Sequence, residues 1–210
     1  MRRSGVLLPV TSLPSRFGIG TFSKEAYAFV DFLSEAGQKL WQILPLGPTG
    51  YGDSPYQAFS TFAGNPYLID LEELIENGWL TEEECENTDW GGSKSYVDYE
   101  KMYQGRFPLL HKAYHNSHIA ENAEFIAFCE ENDWWLSDYA LFMAIKDSQG
   151  GASFLEWDAP LKLREPEAIR RCRHELSDEI CFWQFLQYLF AKQWLSLIHI
   201  SEPTRLQLIS

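Results

Sequence analysis

Two short apolar runs bracket a helical stretch near the N-terminus, GVLLPV at residues 5–10 and KLWQILPL at 39–46. Between them Ala26, Phe29, Val30 and Leu33 recur at helical spacing. Ser23 precedes them as a capping side chain, and Gly37 comes after them as a helix-ending residue. Strand, helix and strand in about 45 residues is a βαβ unit, and such a unit favours a parallel sheet. An α/β barrel and an open doubly wound sheet both begin this way. No G-x-G-x-x-G comes after the first run, so a dinucleotide site lacks its usual support.

The second run ends at Pro45 and leads into GPTGYGDSPYQAFSTFAGNPY, residues 47–67. A loop of this length is uncommon in a compact domain unless it carries function. It sits at the C-terminal end of a parallel strand, where both candidate architectures place their ligands. From Pro66 onward the pattern turns helical. A short helix ends near Gly78, TEEECE opens another with acids in its first turn, and long helical patterns fill the chain to residue 194. Residues 1–79 are therefore expected to start the sheet, and 80–194 to form a helical insertion.

Acidic residues outnumber basic ones by 30 to 17, a net charge of −13. Such a surface disfavours nucleic acid and anionic membranes as partners. The apolar run at the N-terminus is interrupted by Pro9, and no stretch approaches the length of a membrane span. Cys85, Cys129, Cys172 and Cys181 include no C-x-x-C pair, so reduced thiols and a cytoplasmic setting are expected.

Other constellations favour structural roles. His111, His115 and His118 stand at i, i+4 and i+7, but Asn116 and Ser117 mark a helix end there and no cysteine lies near in sequence. Glu82, Glu83, Glu84 and Glu86 suit a solvated helix start. Trp134 and Trp135 are adjacent, so they cannot both face one core. No G-x-S-x-G, H-E-x-x-H or phosphate loop occurs.

The loop, continued as GPTGYGDSPYQAFSTFAGNPYLIDL, resembles the second-strand loop of the 4-alpha-glucanotransferases, also called amylomaltases or disproportionating enzymes, of glycoside hydrolase family 77. RRSGVLLPVTSLPSRFGIG resembles their first strand and loop, and the likeness runs from Arg2 to Trp194, closest in the first 75 residues. It implies a (β/α)8 barrel with helical insertions, of which residues 1–79 supply the first two strands. It also implies transfer of α-1,4-glucan segments to glucose or maltooligosaccharide acceptors by a retaining double displacement. Such chemistry uses two carboxyl groups about 5–5.5 Å apart. Neither a metal nor an organic cofactor is implied. By position, Ser54 and Tyr56 match donor-side glucan contacts and Tyr51 matches an aromatic of an accessory groove. Asp53, in a G-D-S-P turn, is expected to cap its own backbone.

The family's catalytic carboxylates belong to later strands, and a complete barrel takes about 250 residues. The chain is thus expected to be an N-terminal piece, inactive by itself. Residues 195–210 read LSLIHISEPTRLQLIS, and LSLIHISEPTR matches the translation of a common transposase sequencing adapter. The tail is accordingly expected to be non-native, although SLIHI read alone would suit a strand. A non-catalytic glucan-binding module and a helical interaction protein are the other readings the sequence leaves open.

Overall fold

The computed structural model describes residues 3–50, 52–93 and 95–201, with the backbone of 207–209. Strand β1 spans Gly5–Leu7, helix α1 Lys24–Glu35 and strand β2 Leu40–Gln42. β1 and β2 pair in parallel, Val6 opposite Trp41. The βαβ unit expected from the sequence is therefore present, with shorter strands than the apolar runs suggest. Flanking bonds extend the ladder, from Lys39 N–H to the Ser4 carbonyl and from Leu8 N–H to the Gln42 carbonyl, each 2.9 Å.

Close strand approach depends on Gly5. A Cβ at that position would come within 2.5 Å of the Leu40 carbonyl oxygen and 2.6 Å of the Leu40 Cβ. Helix α1 covers the sheet with Ala26, Val30 and Leu33, which pack with Val10, Phe22, Trp41, Ile43 and Leu197 in one core. Trp41 is fully buried, and its indole N–H donates to the Leu8 carbonyl at 2.8 Å. Burial of a side chain this large is worth roughly 1.5–3 kcal/mol, and the hydrogen bond removes the cost of desolvating the indole nitrogen. Gly37 ends α1 with φ 72°. Ser23 departs from expectation: its hydroxyl donates to Glu25 Oε2 at 2.7 Å and caps no helix amide.

A third strand, β3 at Gln207–Ile209, pairs in parallel with β2 to give the order β1-β2-β3. The sequence suggests only two strands, both within residues 1–79. Instead, the outer edge of β2 carries β3. SLIHI is not the strand either, since it lies in a helix that continues to Ser201.

After a 3-10 turn at Pro66–Leu68 come α2 (Leu71–Glu76), α3 (Glu82–Glu86) and α4 (Tyr99–Ser117). A capping box opens α3. Thr81 Oγ1 accepts from the Glu84 N–H at 3.3 Å, and Glu84 Oε2 accepts from the Thr81 N–H at 3.0 Å. Further on are α5 (Ala123–Glu131), α6 (Asp133–Ser148), α7 (Ala159–Lys162), α8 (Pro166–Glu175) and α9 (Ser177–Ser201).

The chain divides into two compact units, residues 1–117 with 189–210, and residues 118–188. The first holds the sheet, α1–α4 and the last turns of α9. The second has its own core of Leu141, Ile145, Trp157 and Cys172. Within it Trp183 donates its indole N–H to Asp147 Oδ2 at 2.8 Å. Trp134 exposes 68% of its surface, whereas Trp135 is half-buried and donates its indole N–H to Asn132 Oδ1 at 3.0 Å. Among the described residues no helix is long and apolar enough to cross a membrane.

Candidate functional site

Two chain segments leave the C-terminal ends of the parallel strands, Pro9–Thr11 after β1 and Leu44–Leu46 after β2. Between them opens a cavity of about 120 Å³. Its wall is completed by Thr49, Asp53 and Pro55 of the long loop, and by Asn65, Tyr67 and Tyr99. A parallel sheet leaves a crevice at this end because its connections diverge there.

The loop is closed at its base. Asn65 donates its backbone N–H to the Leu46 carbonyl at 2.8 Å, so residues 47–64 leave and return at one point. The Asn65 side-chain oxygen then accepts from the Tyr67 N–H at 2.9 Å and starts the 3-10 turn that aims Tyr67 at the cavity. Neighbouring Gly64 is packed so tightly on Phe190 that a Cβ would fall 2.2 Å from the ring.

Inside the loop, Asp53 has a left-handed backbone (φ 53°) beside Gly52 (φ 97°), and its N–H donates to the Gly50 carbonyl at 3.1 Å. Burial pushes the Asp53 carboxyl up, and a hydrogen bond with Thr49 opposes the rise. Tyr67 is pushed up to about 12, chiefly by burial and then by the charge of Asp53. Tyr99 is raised by the same two causes. The Tyr67 and Tyr99 rings lie 6.2 Å apart. One carboxylate thus sits beside two neutral phenols.

Behind this wall Arg106 of α4 is fully buried and donates to the Ile69 carbonyl. Among the described residues its Nε and Nη1 have no hydrogen-bond partner. Burial lowers its pKa to about 10, against the pull of Asp70. Asp70 itself is raised to about 6 by burial.

The residues singled out from sequence are distributed differently. Tyr51 lies outside the described residues. Ser54 is half-buried, its Oγ accepting from the Tyr56 N–H at 3.4 Å. Tyr56 exposes 72% of its surface. The loop residues in the described cavity wall are Thr49, Asp53 and Pro55, and not Ser54 or Tyr56. Asp53 lines the cavity, and its turn is closed by its backbone N–H, with its carboxylate bonded to Thr49. Thr11, Asn65, Tyr67 and Tyr99 are additions. The pair Asn65-Pro66 was a legible turn signal, but the approach of Tyr99 from a helix more than thirty residues away was not. Among the described residues, no group of three or more His, Cys, Asp or Glu is arranged to hold a metal.

A family model described as 4-alpha-glucanotransferase matches residues 8–210. The chain belongs to the 4-alpha-glucanotransferase family. It is 45% identical to the 4-alpha-glucanotransferase of Thermus thermophilus over 99% of its own length, and 44% identical to that of Clostridium butyricum over 95%. Each alignment covers 41% of the relative. The structure of the amylomaltase from Streptococcus agalactiae in complex with acarbose superposes with a TM-score of 0.94 at 44% identity, over 99% of this chain and 42% of that one. The chain therefore spans about two fifths of the length of these relatives, and its fold is the α/β fold of that part of an amylomaltase.

Proposed function

We propose that this chain forms one wall of the glucan cleft of a 4-alpha-glucanotransferase, an enzyme moving α-1,4-glucan segments between maltooligosaccharides by a retaining double displacement. The observation that carries this reading is the cavity at the C-terminal ends of β1 and β2, in a chain of this family. Its lining suits a sugar. Tyr67 and Tyr99 offer aromatic surface to the C–H faces of a pyranose, while Thr11, Thr49 and Asp53 offer hydroxyl and carboxylate groups to sugar hydroxyls. Tyr51, Ser54 and Tyr56 are proposed as further glucan contacts along the same loop.

The chain alone is proposed to bind glucan without transferring it. Retention needs two carboxyl groups about 5–5.5 Å apart, and Asp53 is the one carboxylate among the described cavity-lining residues. The remaining strands of a (β/α)8 barrel would supply the reacting pair. Residues 195–210 are proposed to be adapter translation, and sequencing genomic DNA across the Trp194 codon checks this. An LSLIHISEPTR reading frame in the genome would remove the idea.

The functional reading is tested by incubating the purified chain with maltotriose, and by titrating it with acarbose. Acarbose is expected to bind, with affinity falling about tenfold for Tyr56→Ala, or about 1.4 kcal/mol. No longer maltooligosaccharides should accumulate. Absence of binding would overturn the site, and formation of longer products would overturn the division between binding and transfer.

A further inference from the structure

Trp134 and Trp135 begin helix α6 and divide between its two faces. Trp135 belongs to the inner face, with its indole N–H on Asn132 Oδ1 and its ring 6.1 Å from that of Tyr139. Leu136, Tyr139, Ala140 and Met143 continue that buried face. Trp134 lies on the opposite side of the helix and exposes most of its indole. Ser137 and Asp138 come three and four residues later, so they stand on the Trp134 face one turn on. Helical side chains lean back toward the N-terminus, which brings the Asp138 carboxylate over the turn that Trp134 begins.

Two arginines from other segments converge on this spot. Arg164, between α7 and α8, donates from Nη2 to Asp138 Oδ1 at 2.8 Å. Arg173 of α8 donates from Nη1 to Ser137 Oγ at 3.1 Å and from Nη2 to Asp138 Oδ1 at 3.5 Å. All three charged side chains are exposed, and ion pairs in such surroundings add little stability. Arg164 nonetheless holds a left-handed backbone (φ 53°) directly after Leu163, the C-cap of α7, at a position that favours glycine. Stability therefore does not account for a backbone strained in this way.

We propose that Trp134, Asp138, Arg164 and Arg173 form a surface site for an α-1,4-glucan chain, within the unit of residues 118–188 and sharing no residue with the cavity wall. The indole offers a flat apolar face to the C–H side of a pyranose. Both arginines reach Asp138 Oδ1, which leaves Oδ2 to accept from a sugar hydroxyl, while guanidinium N–H groups donate to its neighbour. Hydroxyl groups both donate and accept, so adjacent ones on a neutral sugar satisfy the carboxylate and a guanidinium together. An anion would meet Asp138 and a chain of net charge −13, and a cation would meet two arginines. The choice of a neutral sugar follows from these side chains alone. The choice of glucan among neutral sugars rests on the proposed function.

The full 210-residue chain is run in native gels with and without amylopectin, a soluble polymer of mainly α-1,4-linked glucose, and titrated separately with acarbose. Amylopectin should slow the wild type. Trp134→Ala should weaken that binding about tenfold and leave acarbose affinity unchanged. Arg164→Gly should weaken it about fivefold yet melt no earlier than the wild type, because glycine suits the left-handed position. A purely structural Arg164 would not separate binding from stability in this way. Wild type that migrates alike in both gels would overturn the proposal. So would a Trp134→Ala or Arg164→Gly chain held by amylopectin as firmly as the wild type. An equal loss of acarbose binding in Trp134→Ala would make the site part of the cavity's own binding and overturn it as well. Acarbose that fails to bind, beside retardation that depends on Trp134, would remove the cavity reading and leave this site standing.

Discussion

The side-chain amide of Gln193 brackets the backbone of Asp70. Its Oε1 accepts from the Asp70 N–H at 2.7 Å, and its Nε2 donates to the Asp70 carbonyl at 3.4 Å. Both residues are buried, at 2% and 9% exposure, so neither backbone group can turn to water instead. This clamp ties the end of α9 to the segment just beyond the cavity wall. Gln193→Ala is expected to destabilise the chain by about 1–3 kcal/mol, the cost of buried polar groups left without partners. A urea melt monitored by tryptophan fluorescence would show the lower midpoint, and an unchanged midpoint would mean that the backbone finds other partners.

Asp70 should make stability fall as pH rises through the mildly acidic range. Its folded pKa of about 6 lies above its unfolded value, because burial disfavours the carboxylate. The stabilising contribution of the protonated form is complete below about pH 4. It is lost as pH rises through about 6, with a total on the order of 3 kcal/mol. Asp70→Asn keeps a side-chain oxygen for the Glu72 N–H, which Asp70 Oδ1 accepts at 3.2 Å, and cannot ionise. Urea melts at pH 4, 5, 6 and 7 should therefore give a flatter profile for Asp70→Asn. Parallel profiles for the two proteins would contradict the assignment.

Gly64 is expected to resist any side chain. Its Cβ would overlap the Phe190 ring, and relieving that overlap shifts either the loop base or α9. Gly64→Ala should cost roughly 1–3 kcal/mol and weaken acarbose binding. The double variant Gly64→Ala with Phe190→Leu should recover part of the loss, as contacting residues do in a double-mutant cycle. Simple additivity of the two changes would argue against the contact.

The capping box of α3 offers a test remote from the cavity. Thr81→Ala removes the acceptor of the Glu84 N–H and should destabilise by about 1 kcal/mol. Acarbose affinity should stay at the wild-type value, and a large drop would reveal coupling between α3 and the cavity.

Much of the first half of the chain was legible because its signals are local. Apolar runs and helical spacing mark β1, α1 and β2, Gly37 ends the helix by tolerating φ above zero, and the acids of TEEECE mark the start of α3. The loop stood out in the sequence by its length and its turn residues, and the structure sets three of its residues in the described cavity wall. Its individual contributions were not legible. Ser54 and Tyr56 carry the family likeness, whereas Asp53, Thr49 and Pro55 meet the described cavity. Alternation of side-chain direction through irregular backbone has no fixed period from which to predict it. Ser23 has a capping residue's identity, yet its hydroxyl is bound to Glu25.

By itself the sequence determined the βαβ start, the helical character of the later segments and the membership in the 4-alpha-glucanotransferase family, because these rest on residue order and short-range periodicity. The tertiary structure alone decided that β3 pairs on the edge of β2, that Tyr99 joins Tyr67 beside Asp53 and that Gln193 clamps Asp70. Those partners are far apart along the chain, Gln193 and Asp70 by 123 residues. Their proximity is set by how buried surfaces pack, which no local pattern encodes.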